Sequence, residues 1–142
     1  MRFLEAVKWM WRRRGIERGG FFQSAAPLPV RMRLFDLAKK GGLTSWTDGS
    51  TKELAEDGFV IEINQVMLEG YHLFTDAMKE GRRLDLEWEL PTGSALQGKG
   101  RVLWFKMAPL GSPHLFEAGV LLTEMGPEQR GQWQEFTKGL LV

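Results

Sequence analysis

From Val30 onward the apolar residues of this chain recur at every second position, and that period decides what the chain can fold into. Leu84, Leu86, Trp88 and Leu90 alternate with Asp85, Glu87 and Glu89. One face of an extended segment is therefore apolar and the other charged. Val30, Met32 and Leu34 alternate with Arg31 and Arg33, and Phe59, Ile61 and Ile63 alternate with Val60, Glu62 and Asn64. Shorter stretches at Tyr71–Thr75, Gly100–Met107 and Leu115–Thr123 complete a set of six expected strands. The stretch KKGGLTSWTDGST reads as a turn-rich insertion between the first two. No strand is followed by a crossover helix, so antiparallel pairing is expected throughout. Six such strands close most economically into a small barrel, because closure leaves no exposed edge.

Both ends of the chain follow a different period. Phe3, Leu4, Val7, Met10 and Trp11 fall on one helical face, with Glu5, Lys8 and Arg12 on the other. The spacing predicts an amphipathic helix over residues 2–14, its last turn holding Arg12 to Arg14, where cations suit the dipole. Gly15 ends it, and GIERGGFFQSAAPLP reads as a linker. At the other end Pro127 and Glu128 suit a helix start, and Trp133, Phe136 and Leu140 form an apolar stripe. The organisation expected is an N-terminal helix with a basic linker over 1–27, then a barrel with a C-terminal helix over 28–142.

Composition removes several function classes. Cys is absent, which excludes disulfides, thiolate catalysis and cysteine-bound metals. Two His residues, His72 and His114, leave little for a histidine-built centre. A net charge of +1 argues against a cationic binder of nucleic-acid polymers. The charge is uneven, however: residues 1–20 carry six basic and two acidic side chains. No run of about 20 apolar residues exists to span a bilayer. A cytoplasmic location is the expectation.

Catalytic motifs fail on inspection. Gly93-Ser94-Ala95-Leu96-Gln97-Gly98-Lys99 fits the start of a phosphate-binding loop, but Gly100 stands where Ser or Thr must ligate magnesium. That segment also joins two strands rather than a strand and a helix. Glu87 and Glu89 read as a solvated strand face, and His72 and His114 as packed or surface imidazoles. No enzyme activity is expected.

Three stretches carry a family resemblance. Gly81–Pro91, with Leu84, Leu86, Leu90 and Pro91, is the first; Gly100-Arg101-Val102-Leu103-Trp104 is the second; Ala118-Gly119-Val120 followed by Gly126-Pro127-Glu128-Gln129-Arg130 is the third. In this order they resemble the PilZ domain family, over about residues 28 to 142. The resemblance implies a mainly β, six-stranded antiparallel PilZ-like barrel that serves as a bacterial receptor for cyclic di-GMP. In that family an Arg-x-x-x-Arg motif before the first strand and (Asp/Asn)-x-Ser-x-x-Gly after the second hold the ligand. Arginine forks bind phosphate or a guanine edge bidentately.

Carried onto this chain, the first motif falls on Arg14 and Arg18. The second, anchored on Gly70, places Gln65 at the acid or amide position, with Asn64 one place earlier and Met67 in place of Ser. The ligand residues implied are thus Arg14, Arg18, Asn64, Gln65 and Gly70. A thioether cannot donate, and losing one partner to a charged ligand costs roughly 1.5–3 kcal/mol, so weakened or altered binding is expected. An alternative alignment, Glu53-Leu54-Ala55-Glu56-Asp57-Gly58, also lacks the Ser and leaves the later strands too long. The competing functional reading is a degenerate PilZ module that binds no cyclic di-GMP and works as a protein-interaction adaptor. Its N-terminal helix then lies on a partner, a membrane surface, its own barrel, or a second copy in a homodimer.

Overall fold

The computed structural model describes residues 27–140. The expected helix at 2–14 and the linker with Arg14 and Arg18 lie outside those residues. The described chain contains strands β1 (Pro29–Asp36), β2 (Gly41–Gly42), β3 (Thr47–Ala55), β4 (Gly58–Ile63), β5 (Met67–Leu68) and β6 (Tyr71–His72). A short helix α1 (Leu73–Ala77) follows, then β7 (Arg82–Glu89), β8 (Ala95–Met107), β9 (Phe116–Glu124) and helix α2 (Pro127–Gly139).

Six strands form a closed antiparallel barrel in the order β1-β3-β4-β9-β8-β7, and β7 pairs back onto β1. The closing seam runs from Val30 opposite Trp88 to Asp36 opposite Arg82. Alternation explains it. Val30, Met32 and Leu34 point into the core with Trp88, Leu86 and Leu84. Outside, the same seam carries two ion pairs, Arg31 with Glu87 at 2.6 Å and Arg33 with Asp85 at 3.0 Å, while Asp36 and Arg82, in the inward-facing register at the seam's end, pair at 3.2 Å. The Trp46 ring sits against both Arg31 and Arg33, at 4.5 and 4.6 Å.

One member of the barrel differs from expectation. The segment Tyr71–Thr75 is not a barrel strand. Tyr71 and His72 pair only with Leu68 and Met67, and the chain then turns into α1. The His72 ring nitrogen Nδ1 accepts from Thr75 N–H at 3.0 Å, capping that helix, while Leu73, Phe74 and Ala77 are buried. Their spacing is helical, and it outweighs the local β propensity of the aromatic pair. The sixth barrel strand is β3, the segment read as a turn-rich insertion. Its alternation is masked by a bulge at Lys52 and by Gly49, where a Cβ would overlap Ile63 and the Glu62 carbonyl.

The two ends are closed by the helices. At one end α1 inserts Phe74 into the core. At the other, Trp133 of α2 packs edge-to-face on Phe59 and Trp88, with centroids 5.8 and 5.6 Å away. The tight hairpin between β7 and β8 occupies Leu90–Ser94, closed by Leu90 N–H donating to the Ser94 carbonyl at 2.9 Å. The strand expected from Gly100 therefore begins at Ala95.

Candidate binding site

Two regions compete as the ligand-facing part of the barrel, and β4 separates them. Five steps of about 3.3 Å put Gly58 and Ile63 roughly 17 Å apart. Beyond Ile63 lies the loop holding three of the sequence-predicted residues. Asn64, Gln65 and Gly70 are all exposed there. Asn64 accepts from the Leu115 N–H through Oδ1 at 3.0 Å, tying this loop to the start of β9. Gln65 donates to the Met67 carbonyl at 3.4 Å. Gly70 has φ +87 in the turn between β5 and β6, beside Glu69 at φ +52. The Glu69 carboxylate accepts from Ser45 N–H at 3.1 Å.

Before Gly58 lies the other region, the hairpin joining β3 and β4. In chain order β3 is the second barrel strand and β4 the third. Glu53–Ala55 therefore ends the second strand, Glu56 and Asp57 make the turn and Gly58 opens the third strand, whereas Gln65–Gly70 follows the third. The objection that this alignment leaves later strands too long disappears, because residues 67–77 fold as a two-stranded ribbon and a helix. The alternative alignment, with Glu53, Ala55 and Gly58 at the motif's three positions, therefore lies next to the second barrel strand, and the alignment on Gly70 next to the third. The signal that could have found this was Gly58 itself, the first residue of a strand buried along its whole length. A Cβ at Gly58 would overlap the Val120 carbonyl oxygen of β9.

The side chains at the end of β3 and in this turn are apolar or acidic. Ala55 offers no hydrogen bond and is fully buried. Burial holds the Glu53 carboxyl above its ordinary range, with the Lys52 charge working against that rise. Next to it, Glu117 is buried and bonded to Lys52 at 2.9 Å and to Lys106 at 3.3 Å. That bond raises the Lys52 ammonium above its usual value. Glu62 accepts from the Ser112 hydroxyl at 2.9 Å. The outer wall of β3, β4 and β9 therefore carries three carboxylates around its lysines, an arrangement that disfavours a bound phosphate. Among the described residues no cluster of His, Asp and Glu could hold a metal ion.

The chain enters this region directly. Leu28 N–H donates to Thr51 Oγ1 at 2.9 Å, and Thr51 N–H donates to the Leu28 carbonyl at 3.0 Å.

A closed six-stranded antiparallel barrel plugged by a C-terminal helix is a PilZ-like fold. The solved structure of the Bacillus subtilis inhibitor of motility, MotI/DgrA, is similar to it. The TM-score is 0.59 at 11% identity, over 84% of this chain and 49% of that one. The chain thus spans about half the length of that neighbour, and at this identity the likeness is one of fold. No protein-family model and no curated protein matches the sequence. No helix among the described residues is long and apolar enough to cross a membrane.

Proposed function

We propose that this chain is a non-catalytic PilZ-like adaptor, acting in bacterial regulation through protein contact rather than through tight capture of cyclic di-GMP. The observation that carries this reading is the pair Glu53 and Ala55. At the end of the second barrel strand, on the alternative alignment, they stand where the family motif has Asp or Asn and Ser, and they offer a longer carboxylate and a buried methyl. An anionic dinucleotide loses a donor there and meets negative charge. The solved neighbour is described as an inhibitor of motility, and restraint of a partner by a docked barrel is the kind of action proposed here.

Calorimetry with cyclic di-GMP tests it on the full chain. No saturable heat is expected up to near-millimolar ligand. A second reading, a receptor with altered binding, draws support from Asn64, Gln65 and Gly70 sharing one exposed loop. In that reading Arg14 and Arg18 complete the site. Saturable heat that disappears in an Arg14→Ala, Arg18→Ala double variant decides for the receptor and against the adaptor.

A further inference from the structure

A closed barrel hides its strand edges only as far as its strands run side by side. Strand β8 outruns one of its neighbours. It extends from Ala95 to Met107, but β7 pairs with it only over Ala95–Gly100, whereas β9 accompanies it to Met107. From Arg101 onward β8 therefore has β9 on one side and no described strand on the other. Ala108 N–H donates to the Leu115 carbonyl at 2.9 Å. Antiparallel alternation then turns the main-chain N–H and C=O of Phe105 and Met107 away from β9, toward that open side.

The side chains along this edge are those of an interaction surface. Met107 is 70% and Phe105 37% exposed. The Phe105 ring lies 5.1 Å from the His72 ring and 6.0 Å from Phe74, so α1 and its cap hold the edge in place. Charge is one-sided here. One step past the last rung, Leu84 opposite Gly100, stand Arg83 and Arg101. Arg83 donates to the Arg82 carbonyl at 2.7 Å, and among the described residues neither arginine makes an ion pair. Further along, the Lys106 side chain is 60% exposed although it reaches Glu117. Cations on neighbouring strands repel, and a carboxylate set beside them relieves that repulsion.

We propose that the open edge of β8, from Arg101 to Met107, takes an extended segment of a partner protein as an added strand, one whose acidic side chains alternate with apolar ones. Main-chain hydrogen bonds to Phe105 and Met107 hold such a segment, its apolar residues lie beside those two side chains, and its carboxylates lie beside Arg101 and Lys106. A second copy of this chain brings the same cations to the contact, so charge selects an acidic partner instead. The proposal rests on the adaptor reading and names its contact surface.

The probe is a fluorescein-labelled peptide of alternating Glu and Val, titrated into the full chain and followed by fluorescence anisotropy. Saturable binding is expected, with slowed amide exchange at Phe105 and Met107 and unchanged exchange at Phe59. Replacing every Glu of the peptide by Lys, or combining Arg83→Glu with Arg101→Glu in the protein, should weaken it roughly tenfold or more. Methylating alternate main-chain nitrogens of the peptide should abolish it. Met107→Glu, at the most exposed apolar position of the edge, should weaken it as well and leaves both arginines in place. No saturable binding, equal binding of the Lys or methylated peptide, or protection confined to other strands overturns the proposal. So does a chain that dimerises on its own with these two amides protected, since its partner is then a second copy. The cyclic di-GMP titration is read separately: no heat and no peptide binding removes this surface and leaves the adaptor reading, whereas saturable heat removes the adaptor reading itself.

Discussion

The indole of Trp133 donates from Nε1 to the main-chain carbonyl of Glu56 at 3.0 Å. The C-terminal helix is thereby fastened to the tip of the β3–β4 hairpin, and the same ring fills the barrel end between Phe59 and Trp88. Trp133→Ala removes both the hydrogen bond and a wholly buried ring, and a loss of about 3–5 kcal/mol is expected. Trp133→Phe keeps most of the volume and forfeits the bond, so about 1–2 kcal/mol is expected. Urea unfolding of the two variants separates the contributions. Equal losses would show that the bond to Glu56 adds nothing.

Gly58 faces a stricter demand. Its Cα lies against the Val120 carbonyl oxygen, which is backbone and cannot swing away. Gly58→Ala is expected to cost about 3 kcal/mol, the upper end for overpacking. Gly131, on the outer side of α2 with nothing near a Cβ, provides the contrast. Gly131→Ala should stabilise by roughly 0.5–1 kcal/mol through helix propensity. Thermal melts that fail to separate the two variants would contradict the packing of β4 on β9.

Glu53 and Asp76 should respond to pH in opposite senses. Burial raises the Glu53 carboxyl, so its ionised form weakens the fold at neutral pH. That penalty fades as pH falls through the raised value toward the ordinary 4.5. Glu53→Gln is therefore expected to melt higher than the parent at pH 7 and together with it near about pH 3. A variant that melts lower at pH 7 would refute the burial argument.

Burial also pushes the Asp76 carboxyl up, but Lys79 and the His72 N–H together bring it below its ordinary 3.8. Its contribution is present above that value and is lost as pH falls through the lowered one. Asp76→Asn should melt lower than the parent at pH 7, and the gap should close in acid. A gap that persists well below about pH 3 would mean that the side chain matters for its shape and not its charge.

Much of this architecture could be read from the residues. The alternation at Val30–Leu34, Phe59–Ile63 and Leu84–Leu90 gave three barrel strands with the right faces inward. The number six and the antiparallel closure also hold. Two segments exchanged roles for identifiable reasons. Thr47–Ala55 is rich in turn formers and broken by a bulge, so its pairing is set by β1 and β4 rather than by its own pattern. Leu73, Phe74 and Ala77 sit at helical spacing, but five residues are too few for that period to stand out. With β3 missed, Gly70 stood after the second expected strand; in the structure it follows the third barrel strand, and Gly58 opens that strand. The burial of Val60 was invisible for another reason. Val60 alternates like a solvent-facing residue, and only burial in three dimensions shows that water is kept from it.

The seam joining β1 to β7 has a consequence for the order in which the molecule can be made. Arg31 and Glu87 meet there although 56 residues separate them. During synthesis the first strand emerges long before its lateral neighbour, and the hairpin partners β8 and β9 come later still. Such distant pairings pay a large loop-closure entropy before they gain contacts, which slows folding. The nascent chain therefore waits with Val30, Met32 and Leu34 uncovered on one side until Leu84, Leu86 and Trp88 have left the ribosome.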